Sequence, residues 1–151
     1  MAPCLFCSFV AGEIPCHRVW EDEHHLAFLT IFPNTPGFTV VIPKVHRPSY
    51  AFDLPAEELT ALVMAAKTVA QRIDRAFADV GRTALVFEGF GIDHVHAKLI
   101  PLHGTRMEEW RPILSAAQPL TEQYEGFITT HDGPRASDDE LARIADRIRN
   151  A

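Results

Sequence analysis

Within His94-Val95-His96-Ala97-Lys98-Leu99-Ile100-Pro101, two imidazoles and an ammonium stand at every second position. Side chains on a strand alternate between faces, so His94, His96 and Lys98 share one face while Val95, Ala97 and Leu99 point the other way, into a core. Neighbours in such a row lie about 6.5 Å apart along the strand. A cationic row at that spacing repels itself unless it meets an anion, binds a metal, or keeps its histidines neutral. The row therefore suits a metal site, an incidental surface pair, or a neutral imidazole acting as nucleophile. A second constellation is Cys4-Leu5-Phe6-Cys7. Its readings are a metal ligand pair, a redox dithiol, or two unliganded buried thiols. The odd cysteine, Cys16, reads as a small buried hydrophobe.

The chain that must position these groups has 151 residues, 47% of them hydrophobic. That is enough for one core and too short for two ordinary domains, so one domain is expected over 1–151, with a core over about 4–104 and a C-terminal extension over about 105–151. Apolar stretches such as Phe38 to Pro43 and Leu59 to Val63 fall far short of the roughly 20 residues that span a bilayer. No membrane span is expected. The residues Met1-Ala2-Pro3-Cys4 lack the basic cluster and apolar run of a secretory signal, so the expected compartment is cytoplasmic. A net charge of −6 without a long basic block argues against general nucleic-acid binding, although a mononucleotide needs only local charge.

Segments Arg18 to Glu21, Leu26 to Thr30 and Phe38 to Pro43 are rich in β-branched and aromatic residues and separated by turn residues, which predicts a strand meander. From Leu59 to Phe77 apolar residues recur at spacings of three and four, predicting a central helix that Gly81 closes. Thr83 to Phe87 and His94 to Pro101 then read as two strands around a turn containing Gly89 and Gly91. A short helix is expected near Met107 to Leu114 and a strand at Gly126 to Thr130. Ser137-Asp138-Asp139-Glu140 matches the capping box that opens a helix, and Leu141, Ile144, Ala145 and Ile148 give that helix one apolar stripe. The fold class is α+β.

From Cys4 to Pro101 the chain resembles the histidine-triad (HIT) superfamily. The residues that carry the likeness are Cys4-Leu5-Phe6-Cys7, Gly12-Glu13-Ile14-Pro15, Glu21-Asp22, Ala27-Phe28-Leu29, Pro33-Asn34-Thr35-Pro36-Gly37, and Val41-Ile42-Pro43-Lys44-Val45-His46. They precede a signature of the form His-φ-His-φ-His-φ-φ, in which Lys98 takes the place of the third histidine. The resemblance implies an antiparallel sheet of about five strands with a central and a C-terminal helix. It implies that His96 attacks the α-phosphorus of a nucleotide, forming a nucleotidyl-histidine that water or another acceptor resolves. It implies structural zinc held by Cys4, Cys7, His46 and His94, a closed tetrahedral set with no position left for water. It also implies a homodimer built through central helices and an extended sheet, with a C-terminal residue such as Trp110 or Tyr124 reaching toward the neighbouring site.

The chain departs from the pattern in three ways. Thr30 stands where many members carry an aspartate for the ribose hydroxyls, and one hydroxyl cannot take both as a carboxylate does. Phe38 and Lys98 replace two histidines that pack together in many members. The short loop Phe87 to Asp93 replaces an asparagine and a Gly-Gln-Ser-like phosphate loop. Lys98 is expected to hold a phosphate oxygen or the leaving group, with His103 and Arg106 as helpers; the alternative is that it reaches solvent or pairs with a carboxylate such as Asp93. Leu5, Phe6, Phe9, Phe28, Leu29 and Ile31 match the family's apolar slot for a base or sugar, with Phe6 and Phe28 as the contacts favoured by aromatic character.

The reading that follows is a nucleotide hydrolase or nucleotidyl transferase acting on a dinucleoside polyphosphate, a nucleoside phosphoramidate or a related adenylylated compound. A nucleotide-binding module without turnover is the alternative. A structural partner protein docking through its C-terminal helix is the third, and it leaves His94 to Lys98 unexplained.

Overall fold

The computed structural model describes residues 4–115, 122–124, 126 and 131–151. Helix α1 (Leu5–Ala11) leads into strands β1 (Arg18–Glu21), β2 (His25–Leu29) and β3 (Thr39–Pro43), and a 3-10 turn at Ala51–Asp53 precedes helix α2 (Ala56–Ala76). Strands β4 (Thr83–Val86) and β5 (Ala97–Pro101) complete the sheet, and helix α3 (Asp138–Arg149) closes the chain. The five strands lie in the order β1-β2-β3-β5-β4, every neighbouring pair antiparallel. Among the described residues no helix is long and apolar enough to cross a membrane.

Alternation along each strand divides the core between the two faces of the sheet. On one face Ala27, Leu29, Val41, Val95, Ala97 and Leu99 pack with Leu62, Val69 and Ile73 of α2 and with Leu141, Ala145 and Ile148 of α3. On the other, Leu26, Phe28, Val40, Ile42 and Ile100 pack with Phe6 of α1. The expected apolar stripes of α2 and α3 are thus the buried ones. At the start of α3 the Ser137 hydroxyl accepts a hydrogen bond from the Glu140 N–H at 3.2 Å, one half of the capping box.

Several boundaries differ from the expectation. Helix α1 has no counterpart in it, because seven residues are too few for a helical period to stand out; Gly12, at φ +75°, takes the left-handed position that ends it. Helix α2 stops at Ala76 rather than at Gly81. Phe77 turns extended there and buries its ring, as Val80 buries its side chain, so tertiary packing ends the helix before a glycine can. Paired strand in β5 begins at Ala97, three residues late. Pro43 has no N–H for the ladder, and its carbonyl oxygen accepts from the His94 ring instead. No helix forms over Met107 to Leu114: Trp110, Ile113 and Leu114 are exposed, and a helix that short needs a packed face to persist. Of the strand expected at Gly126 to Thr130, residues 127–130 lie outside the described residues.

Candidate functional site

The segment His94 to Ile100 keeps its alternation even where the ladder is missing. Val95, Ala97 and Leu99 enter the α2 core, while His96 and Lys98 line a cleft of about 810 Å³ on the α1 side of the sheet. The cleft crosses the sheet from β5 past Val40 of β3 and Phe28 of β2 to His17 at the start of β1. Three strand spacings make that span about 14 Å. Its apolar wall is an aromatic cluster, with the Phe6 and Phe28 rings 5.3 Å apart and Phe9 and Phe28 5.0 Å apart. Leu29, Thr30 and Ile31 line the cleft with them, as do Leu5, Phe9 and Phe38.

His96 is buried. Its Nδ1 lies 2.7 Å from the carbonyl oxygen of His94, and a carbonyl only accepts, so Nδ1 carries the proton and donates. In the neutral ring the lone pair is then on Nε2. Burial lowers the pKa of His96 below the ordinary imidazole value, and the nearby Lys98 ammonium pushes the same way against the opposing pull of the His94 carbonyl bond. The ring is therefore neutral at pH 7, the form that can attack an electrophile. The Phe6 ring meets it edge-on with centroids 5.4 Å apart, which restricts its tilt.

Lys98 pairs with a carboxylate, as the alternative expected, but the partner is Glu88 rather than Asp93. Its Nζ donates to Glu88 Oε2 at 2.7 Å, and both side chains are largely buried. Asp93 instead accepts from the Ser49 N–H at 2.9 Å. His103 and Arg106, expected as helpers, stand outside the cleft. His103 is held between the Asp79 carboxylate at 3.1 Å and the Pro36 carbonyl at 2.8 Å, with its ring against Phe77. The Arg106 guanidinium donates to the carbonyls of Asp74 and Val80. Both residues follow β5 and turn toward the C-terminal end of α2, away from His96. They brace the α2–β4 connection, and neither is among the residues lining the cleft beside Lys98.

Glu88 was not among the expected site residues, and neither were Asp132, Arg135 and Asp138, which bring the chain's C-terminal part into the cleft wall. The Gly133 N–H donates to the Phe32 carbonyl and the Ala136 N–H to that of Ile31, seating this segment against the end of β2. The Arg135 guanidinium contacts Asp138 at 3.3 Å, and Asp138 also contacts His17 at 3.1 Å. Contacts so distant in sequence leave no local signal. Glu88 becomes visible once the register is known: β4 and β5 pair with Val86 opposite Lys98, so period two puts Glu88 on the same face one step further along.

Beside the cleft, Cys4, Cys7, His46 and His94 converge so that one donor atom from each lies within 4.8 Å of all the others. Cys4 Sγ is 3.5 Å and Cys7 Sγ 3.7 Å from His94 Nδ1, and Cys7 Sγ is 3.5 Å from His46 Nδ1. Ligands at zinc distances in a tetrahedron are separated by about 3.6 Å. The tautomer fits as well. His94 Nε2 lies 2.9 Å from the Pro43 carbonyl oxygen and donates to it, which leaves the Nδ1 lone pair facing the thiols, the outer-shell arrangement usual for a metal-ligating histidine.

Known proteins share this arrangement of elements. A hypothetical histidine triad nucleotide-binding protein from Sulfolobus tokodaii superposes with a TM-score of 0.74 at 25% identity, over 97% of this chain and 90% of its own. In sequence, an uncharacterized HIT-like protein of Methanocaldococcus jannaschii is 36% identical over 105 residues, 65% of this chain and 78% of its own. The adenosine 5'-monophosphoramidase of Saccharomyces cerevisiae is 34% identical over 100 residues, 66% of this chain and 63% of its own. The HIT domain family matches residues 11–105, a span that includes all five strands, α2, His46, His94, His96 and Lys98, and the chain belongs to that family.

Proposed function

We propose that this protein catalyses nucleotidyl transfer or hydrolysis through a covalent nucleotidyl-histidine on His96, with a nucleoside phosphoramidate as the favoured substrate. The observation that carries the reading is the fixed tautomer of His96: Nδ1–H is spent on the His94 carbonyl, and the lone-pair nitrogen belongs to a neutral ring on a cleft wall beside Lys98. In the first step Nε2 forms a bond to the α-phosphorus, and the bond from phosphorus to the leaving nitrogen breaks. The leaving amine takes the electron pair and a proton from solvent. Lys98 holds a phosphoryl oxygen as charge develops there. Water then adds to phosphorus, releasing the nucleoside monophosphate and restoring His96. The base and sugar rest against Phe6, Phe28, Leu29, Thr30 and Ile31.

Charge supports the phosphoramidate over a dinucleoside polyphosphate. Among the described residues the lysine and arginine side chains lining the cleft are Lys98 and Arg135, and each already has a carboxylate partner, Glu88 and Asp138. A polyphosphate brings a charge with every phosphate and would meet no surplus of cations. A phosphoramidate, with a single net negative charge, suits a compensated site. The yeast relative, by its name an adenosine 5'-monophosphoramidase, agrees with this preference.

The test is mass spectrometry after brief incubation with adenosine and guanosine phosphoramidates and, separately, diadenosine polyphosphates, quenched in alkali to preserve phosphohistidine. A nucleotidyl adduct on His96 that forms faster from the phosphoramidates is the expected result. Tight nucleotide binding without adduct would make the protein a binding module.

Cys4, Cys7, His46 and His94 would hold zinc as a structural ion, which neutralises the two thiolates and ties α1 to the segment carrying His96. A homodimer is the proposed assembly. Edge strand β4 presents the exposed Leu85, and α2 presents the exposed Val63 and Met64, surfaces through which a sheet can continue and helices can pair. Sedimentation at micromolar concentration should give twice the chain mass; a monomer alone would refute the dimer.

A further inference from the structure

We propose that Glu88 is a positioning residue of this site: its carboxylate aims the Lys98 ammonium into the cleft, and Tyr124 fixes that carboxylate from the C-terminal part of the chain. The proposal rests on the nucleotidyl-transfer reading and names how its cation is held.

Among the described residues the arrangement joins Lys98, Glu88 and Tyr124. Lys98 Nζ donates to Glu88 Oε2 at 2.7 Å, with only 15% and 16% of the two side chains exposed. The Tyr124 hydroxyl donates to the other oxygen, Oε1, and the Tyr124 ring lies on Phe90, centroids 5.7 Å apart. Glu88 thus has a cation on one oxygen and a phenol on the other. The loop that follows it lies against Ser49. Gly89, at φ +80°, comes so close that a Cβ would stand 2.8 Å from the Ser49 carbonyl oxygen, and Asp93 accepts from the Ser49 N–H.

Lys98 lines the cleft and Glu88 does not. Of the pair, the cationic residue is the one on the cleft wall, and in the proposed role the carboxylate orients the ammonium from behind that wall. A lysine is a flexible point charge with four rotatable carbons, which loses orientation unless something holds it. Glu88 supplies the hold. The same carboxylate also opposes phosphate binding by its own charge, so it should help the transition state more than it helps binding. Tyr124 gives the C-terminal part a role within its own subunit's site, in contrast to the expectation that this residue reaches a neighbour.

The opposition between binding and turnover makes the role separable from mere support of the fold. In steady-state kinetics with adenosine 5'-phosphoramidate, Glu88→Gln should lower kcat about 10- to 100-fold, the order of loss that misplacement of a catalytic group brings, while KM stays level or falls. Tyr124→Phe should lower kcat about threefold, as the loss of one hydrogen bond would. Lys98→Met should lose at least as much as Glu88→Gln, and the Lys98→Met, Glu88→Gln double variant should be no slower than Lys98→Met alone, because residues that act as a unit are not additive. The double variant strands no buried charge, so it remains informative even where Glu88→Gln alone folds poorly. Additive losses, or a rise in KM with kcat unchanged, would overturn the proposal and leave nucleotidyl transfer standing. A wild-type protein that forms no adduct and turns over no substrate would overturn the nucleotidyl-transfer reading itself, and the catalytic role of Glu88 with it.

Discussion

Replacing His96 with alanine is expected to abolish the covalent nucleotidyl adduct and to reduce phosphoramidate turnover on the order of 10⁴-fold or more, the size of effect seen when a nucleophile is deleted. The expectation follows from what would remain. Lys98 and the aromatic wall of Phe6, Phe9 and Phe28 can still hold a nucleotide, but among the described residues no other imidazole lines the cleft near Lys98: His17 lies three strands away. Affinity for AMP should therefore change only a few-fold while the chemical step fails. His96 is buried beside Phe6, so the truncation leaves a small void, and a thermal melt must show that the variant is folded. His96→Gly with added imidazole provides a second check, because a free imidazole entering the void restores a nucleophile in the right place. Recovery of turnover with imidazole, alongside loss of the protein-bound adduct, would assign the step to the ring itself. An adduct retained in His96→Ala, on any residue, would refute the assignment.

The feature of the site most legible in the sequence was its one-dimensional part. Alternation from His94 to Ile100 put His96 and Lys98 on one face and three apolar residues on the other, and both placements hold even though only Ala97–Pro101 pairs as a strand. Cys4 and Cys7 read as a possible metal pair from their spacing, but their convergence with His46 and His94 was implied through the resemblance alone, since nothing in the spacing of Cys7 and His46 says that they meet. What the sequence hid depends on register or on long-range closure. Glu88 required the β4–β5 register, Arg135 and Asp138 required the C-terminal part to return to the end of β2, and α1 was too short to show a period. The errors share a cause. His103 and Arg106 were placed by proximity in sequence to β5, but once a strand ends, the chain's direction is set by the packing it enters, here against Asp79 and the end of α2.

The same dependence bears on the proposed dimer. Trp110, Ile113 and Leu114 are exposed and form no helix in one chain, while Leu85 on the edge strand and Val63 and Met64 on α2 add further apolar area. Scattered exposed hydrophobics need no explanation, but apolar groups beside an unpaired strand edge are where association begins. Tyr124 bonds to Glu88 of its own chain, so association is not required to complete the Lys98 network.

Removal of zinc should cost the protein more in structure than in chemistry. The purified chain is expected to carry about one zinc, and Cys7→Ala should lose it and melt about 10 °C lower, a shift equivalent to roughly 3 kcal/mol for a domain of this size. Helix α1 is the reason. It has seven residues, no side-chain hydrogen bond at its N-cap, and no acidic residue in its first turn, so alone it would not persist. Its attachments include the packing of Phe6 and Phe9 against Phe28, a hydrogen bond from the Arg18 guanidinium to the Phe9 carbonyl, and the approach of Cys4 and Cys7 to His94 and His46. Without the metal, two thiols and two imidazoles remain as weak neighbours and the N-terminal end of the helix loses its strongest tie. Since Phe6 forms both the wall of the cleft and the edge-on neighbour of His96, AMP should bind about tenfold more weakly to the metal-free protein, an effect near that of losing an outer-shell contact. Cobalt offers a readout independent of activity: a tetrahedral site with two thiolates should give intense visible bands, lost in Cys7→Ala and in His94→Ala. A chelated protein that melts where the untreated one does, or a Cys7→Ala variant that retains its metal, would show that this cluster does not hold the helix in place.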